Sequence, residues 1–169
     1  MNPLKKLASQ TAIYGLSSVV GRLLNYLLVP LYTRYFIPEE YGVVTELYAY
    51  VAFLVIVLTY GLETAFFRFS QKENNNRIVY STSLISLIFT SLLFICFMFS
   101  FSENISALIG YSTNQEYVKW FALIIGLDAI SSISFAKLRA QNKATRFALI
   151  RLVNIFINIG LNLFFIIYC

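Results

Sequence analysis

Five long apolar runs, each interrupted only by isolated polar residues, occupy Ala8–Tyr35, Tyr41–Leu62, Ile78–Phe101, Tyr117–Leu138 and Phe147–Cys169. About 20 mostly apolar residues suffice for a helix to cross the hydrocarbon core of a bilayer. The pattern therefore predicts an all-α integral membrane protein, a bundle of five transmembrane helices in a single domain over residues 1–169. Between the first two runs lies Phe36-Ile37-Pro38-Glu39-Glu40-Tyr41-Gly42. Its proline suits the first position of a helix, and its two glutamates suit the positive end of a helix dipole. So short a link predicts that helices one and two form an antiparallel hairpin, with a kink in the first helix at Pro30. The second link, from Glu63 to Arg77, and the third, from Ser102 to Glu116, read as polar connections.

The polar residues inside the runs are not scattered. Thr11, Gly15, Ser18, Arg22 and Asn25 recur at spacings of four, three, four and three, which places them on one face of a helix. Arg22 then sits near the bilayer centre, where a charge costs roughly 2.5–3.5 kcal/mol on insertion scales. The stripe must therefore look toward other helices or a hydrated cavity. The fifth run repeats the theme with Arg151, Asn154, Asn158 and Asn162 at spacings of three, four and four. Ser83, Ser86 and Thr90 mark the third run, and Gly126, Asp128, Ser131 and Ser132 the fourth. Glu46 lies one turn inside the second. Arg22 and Asp128 fall at similar depth from their helix ends, so an interhelical ion pair and a lining of a binding cavity are both open readings.

Composition adds to this picture mainly by exclusion. The chain of 169 residues is 59% hydrophobic and 12% charged, with a mean hydropathy of +0.71. Soluble domains are about 45–50% apolar and 25% charged, and a chain this short has too little interior to absorb the difference. The net charge of +5 is spread between hydrophobic runs and forms no face that could follow phosphates, which argues against nucleic acid as a partner. Histidine is absent, and Cys96 and Cys169 have no metal-ligand spacing, so neither a metal site nor a disulfide framework is expected. No Walker loop or nucleophile elbow is present, and the expectation is a protein that is not an enzyme and needs no cofactor.

The basic residues alternate along the chain. Lys5 and Lys6 precede the first run, Arg68, Lys72 and Arg77 fill the second link, and Lys137, Arg139, Lys143 and Arg146 surround the fourth. Only Arg34 and Lys119 fall at the opposite ends. The positive-inside rule then places the N-terminus in the cytoplasm. Trp120, Tyr111 and Tyr117 read as interfacial anchors near the outer third link.

Several stretches resemble one family. These are the opening Leu4-Lys5-Lys6-Leu7-Ala8-Ser9-Gln10-Thr11-Ala12-Ile13-Tyr14-Gly15, then Gly21-Arg22, Pro30-Leu31-Tyr32-Thr33-Arg34 and Ile37-Pro38-Glu39-Glu40-Tyr41-Gly42. Leu138-Arg139-Ala140-Gln141-Asn142-Lys143-Ala144, with Asn154 and Asn158, extends the likeness to the end of the chain. Together they resemble bacterial polysaccharide-biosynthesis flippases, a branch of the multidrug, oligosaccharidyl-lipid and polysaccharide exporters. The resemblance implies two helical lobes around a central cavity, of which this chain is most of the N-terminal one and lacks its C-terminal partner. It also implies flipping of an undecaprenyl-pyrophosphate-linked oligosaccharide across the bacterial inner membrane, with membrane lipids as the other contacts.

The residues themselves favour the same branch, because a desolvated guanidinium holds phosphate through its fixed donor fork. Arg22, Asn25 and Tyr26 are the candidate substrate contacts. Asp128 and Glu46 are candidates for ion coupling or an ion pair, and Ser18, Asn154, Asn158 and Asn162 for cavity lining or packing. A cation-coupled multidrug exporter, in which Asp128 or Glu46 matters more than Arg22, and a non-transporting membrane scaffold are the alternatives.

Overall fold

The computed structural model of the chain describes residues 3–72, 76–112 and 114–168, with side chains described outside 3–10, 17, 18, 21, 22, 25, 40 and 166–168. Among the described residues the regular structure is helical throughout: α1 (Pro3–Tyr35), α2 (Pro38–Thr59), α3 (Leu62–Lys72), α4 (Asn76–Ser100), α5 (Ser102–Leu108), α6 (Gln115–Ala140) and α7 (Ala144–Tyr168). The five apolar runs correspond to α1, α2, α4, α6 and α7. Among the described residues four stretches are long and apolar enough to cross a membrane, Tyr41–Lys72, Asn76–Ser100, Gln115–Ala140 and Ala144–Phe165. The count is thus four where the sequence predicts five. Helix α1 is continuous, and much of its N-terminal half lies outside the described side chains.

Local chemistry sets the boundaries. Pro38 is the first residue of α2, and the Ile37 carbonyl accepts the Tyr41 amide at 3.1 Å, which makes Ile37 the N-cap. Helix α2 stops where Tyr60 and Gly61 adopt positive φ angles of 35° and 70°. The Gly61 carbonyl then accepts the Thr64 and Ala65 amides and starts α3. Helix α5 ends in a Schellman motif with Gly110 left-handed, the Tyr111 amide reaching Ser106 at 2.8 Å and the Gly110 amide reaching Ala107 at 3.2 Å. The end of α6 repeats that motif with Asn142 in the left-handed position, donating to Arg139 while Lys143 donates to Leu138. Asparagine is the residue after glycine that best tolerates this conformation.

The two links expected to be polar connections both contain helix. In the second, Leu62, Ala65, Phe66 and Phe69 follow the i, i+3, i+4, i+7 spacing of an amphipathic helix, and that helix is α3. Helix α1 runs through Pro30 without interruption as far as Tyr35. There the Thr33 hydroxyl donates to the Pro30 carbonyl at 3.2 Å.

The chain divides into two compact units, residues 1–44 with 138–169, and residues 45–137. In the first, α7 packs along α1. Among its described residues, Leu28, Ala144 and Phe147 are the buried apolar ones.

In the second unit α3 packs on α4, and Phe66, Leu87, Ile133 and Ala136 form a core shared by α3, α4 and α6. Toward the other end, Ala122, Gly126 and Ala129 put a row of small residues on the buried face of α6. Small residues let helices in lipid approach closely, where van der Waals packing replaces the hydrophobic effect as the driving force. The outward faces are apolar, with Phe53, Ile56, Ile85, Phe89 and Leu127 all exposed. Water is a poor solvent for such a surface, and lipid is a good one.

Ser91 is fully buried on α4, and its hydroxyl has no hydrogen-bond partner among the described residues. The carbonyl four residues back, on Leu87, already accepts from the Thr90 hydroxyl at 3.3 Å. Deleting an orphaned polar group removes its desolvation cost. Ser91→Ala is therefore expected to stabilise the folded chain by about 1 kcal/mol, read as a higher unfolding midpoint in detergent micelles. A lower midpoint would mean that the hydroxyl is satisfied after all.

Candidate substrate-facing site

The residues predicted as substrate contacts lie on α1. Ser18, Arg22 and Asn25 belong to the helix, but their side chains lie outside the described residues. Tyr26 is described and is 71% exposed.

Asp128 is exposed on α6, next to the buried row of small residues and not part of it. Among the described residues its carboxylate makes no ion pair. Its backbone carbonyl accepts the Ser131 hydroxyl at 2.9 Å, and the Ser132 hydroxyl turns back to Ala129 at 2.7 Å. These serines satisfy themselves within their own helix.

Glu46 has defined partners. Its carboxylate accepts the Tyr50 hydroxyl at 2.9 Å, one turn along α2, and the Tyr111 hydroxyl at 2.7 Å. The second bond joins α2 to the link between α5 and α6. Donation to Glu46, with burial as a smaller cause, raises the titration of the Tyr111 phenol above its usual range, so it remains a donor at physiological pH. Close by, Tyr48 meets Phe121 edge to face at 5.7 Å. The arrangement is a polar clasp between elements 65 residues apart in sequence.

The asparagines of α7 are on a face open in this structure. Asn154 and Asn158 are exposed, and the Asn162 amide donates to both the backbone and the side-chain oxygen of Asn158, at 2.8 and 2.9 Å. Two amides of the stripe therefore brace each other along the helix. Asn154 remains one turn from Arg151.

The structure also assembles a cluster that the polar pattern does not show. Phe147, 4% exposed in the first turn of α7, meets the Tyr14 ring of α1 edge to face at 5.1 Å. The guanidiniums of Arg151 and Arg139 lie 5.3 and 6.0 Å from the centre of the same Phe147 ring. Cations at that range are attracted by the ring face, by about 0.5–1 kcal/mol each at exposed sites. One aromatic thus gathers two of the chain's positive charges and holds them to the α1–α7 contact. In the second unit Lys137 lies 3.6 Å over the Tyr80 ring, whose hydroxyl is 3.4 Å from that of Ser134. Among the described residues no group of histidine, cysteine or acidic side chains is arranged to hold a metal ion.

The arrangement offers isolated polar and charged side chains on helices that are otherwise apolar, where such groups are costly unless they face other helices or water. No curated protein and no solved structure matches the chain significantly. A family described as polysaccharide biosynthesis protein matches residues 31–168, which includes Glu46, Asp128 and the α7 asparagines and begins after Tyr26. With a match over most of its length, the chain belongs to the polysaccharide biosynthesis protein family.

Proposed function

We propose that the chain is part of a flippase that carries an undecaprenyl-pyrophosphate-linked oligosaccharide across the bacterial inner membrane for O-antigen, capsule or a similar polysaccharide. The observation that supports this most is the family match falling on helices long and apolar enough to span a membrane. A polysaccharide built from lipid-linked units has to cross that barrier, and helices of this kind that carry polar stripes are suited to moving it. The role is transport and not catalysis, and a C-terminal lobe is the partner that would complete the cavity. The N-terminus lies in the cytoplasm, because Lys5, Lys6, Arg68, Lys72, Arg77, Lys137, Arg139, Lys143 and Arg146 then share the inner side.

In this reading Arg22 grips the pyrophosphate, with Asn25 and Tyr26 as hydrogen-bonding neighbours on α1. A charge-assisted contact of this kind contributes about 1.5–3 kcal/mol, which is roughly a ten- to hundred-fold effect. Arg22→Ala should accordingly lower surface glycan by about ten-fold or more. Lipid-linked oligosaccharide should accumulate at the inner face while the protein level stays unchanged. Normal export at normal protein level would remove the headgroup role. Loss of drug resistance on changing Asp128 or Glu46, with glycan export intact, would favour the cation-coupled exporter.

A further inference from the structure

Between α3 and α4 lies a groove of about 450 Å³, lined in part by Ser83 and Ser86 of the third run's polar stripe and by none of the candidate substrate contacts. Phe66, Phe69 and Leu62 form its α3 wall, and Val79, Thr82 and Ser83 line the α4 side. One end is closed by the 2.7 Å hydrogen bond between the hydroxyls of Tyr60 and Ser86. At the other end Phe69 and Ile78 are 51% and 62% exposed, so the groove opens there. From Ile78 to Ser86 the helix rises about 12 Å, which gives the length of the slot.

The charges at the open end decide what fits. Arg68 and Lys72 stand one turn apart on α3, and Arg77 immediately precedes Ile78. All three are exposed and make no ion pair or hydrogen bond among the described residues. Helix α2 alone, with 22 residues, already measures about 33 Å, enough for the hydrocarbon core of about 30 Å. Helix α3 therefore lies at the membrane boundary, with its apolar face on the groove and its basic face outward. An amphipathic helix in that position is attracted to anionic lipid.

We infer that the α3–α4 groove binds an anionic phospholipid, one acyl chain in the slot and the phosphate against Arg68, Lys72 and Arg77. Apolar walls take the chain, and the three cations supply the counter-charge that a zwitterionic lipid does not need. The groove lining includes no residue of the polar stripe of α1, and lipid bound here would steady α3.

The test uses the full chain carrying Trp120→Phe and Phe69→Trp, which leaves its only indole at the groove mouth. It is reconstituted into phosphatidylcholine vesicles containing increasing amounts of either brominated phosphatidylglycerol or brominated phosphatidylcholine. The anionic lipid should quench that indole at about five-fold lower mole fraction or less, since each basic residue near the surface contributes about 1 kcal/mol of attraction. The preference should fall in Arg68→Gln/Lys72→Gln. It should also fall in the otherwise unsubstituted protein at 1 M salt, where the Debye length is about 3 Å, so the result stands even if the charge variant inserts poorly. Equal quenching by the two lipids would overturn the inference and leave an ordinary lipid annulus. Absence of quenching by either would overturn it in favour of a groove covered by protein, another segment of this chain or a second copy.

Discussion

Phe147→Ala is expected to lower the stability of the folded chain by about 3 kcal/mol, the lower end of the range for truncating a buried phenylalanine. Phe147 is 4% exposed, and its ring is the meeting point of Tyr14 from α1 with Arg139 and Arg151. Truncation would leave a cavity against α1 and release both guanidiniums from the ring face. The value sits low in the range because the first turn of a membrane helix is next to lipid and headgroups that can partly refill the space. Denaturant or detergent unfolding in mixed micelles measures it. Phe147→Leu, which keeps most of the volume and loses the ring, should fall by less, and the difference between the two variants reports the aromatic contribution. An unchanged midpoint for Phe147→Ala would mean that α1 and α7 are held elsewhere.

Gly126→Leu is expected to destabilise the second unit by up to about 3 kcal/mol, the usual upper end for an overpacked core. Even a methyl at Gly126 would come 2.6 Å from Ile95 Cδ1 and 3.1 Å from Ile95 Cγ1, with Ser91 Cβ behind at 3.8 Å. The tip of Ile95 can rotate to admit the methyl, and alanine gains about 1 kcal/mol of helix propensity over glycine. Gly126→Ala should therefore be close to neutral. Leucine adds three further carbons into the same gap, and no rotation of Ile95 can make room for them. If this close approach is the cause, Ile95→Ala in the same chain should recover much of the loss, a coupling that a double-mutant cycle reads directly. Additive effects of the two substitutions would show that α4 and α6 do not press on each other at Gly126.

The amount of structure legible in the sequence follows from the length of the signals. Runs of more than twenty apolar residues leave the backbone one way to satisfy its hydrogen bonds in lipid, and the helices at α1, α2, α4, α6 and α7 follow. Pro38 marked the start of α2 for an equally local reason. Helix α3 carried its own signal in Leu62, Ala65, Phe66 and Phe69, but Arg68 and Lys72 on its other face made the stretch read as a polar link. Pairing was less legible. A short link brings the ends of α1 and α2 together, whereas the packing of α7 along α1, with Phe147 in the contact, is a matter of side-chain fit between elements far apart in sequence. That Glu46 lies within α2 was readable. Its hydrogen bond to Tyr111 was not, because nothing in the local pattern of either residue refers to a partner 65 positions away. Arg22, Asn25 and Ser18 rest on helical periodicity and on the cost of a charge in hydrocarbon.

The left-handed turn at Tyr60 and Gly61 bears on which membranes can accommodate this chain. A straight helix over Tyr41–Lys72, 32 residues, would be about 48 Å long. Such a rod would have to lean steeply or stretch the surrounding bilayer, at a fraction of a kcal/mol for each ångström of mismatch. Because the turn separates α2 from α3, α2 alone, at about 33 Å, can match the hydrocarbon core of about 30 Å, and α3 need not continue its axis. A two-residue break thus spares the chain the mismatch that an unbroken helix over this stretch would bring.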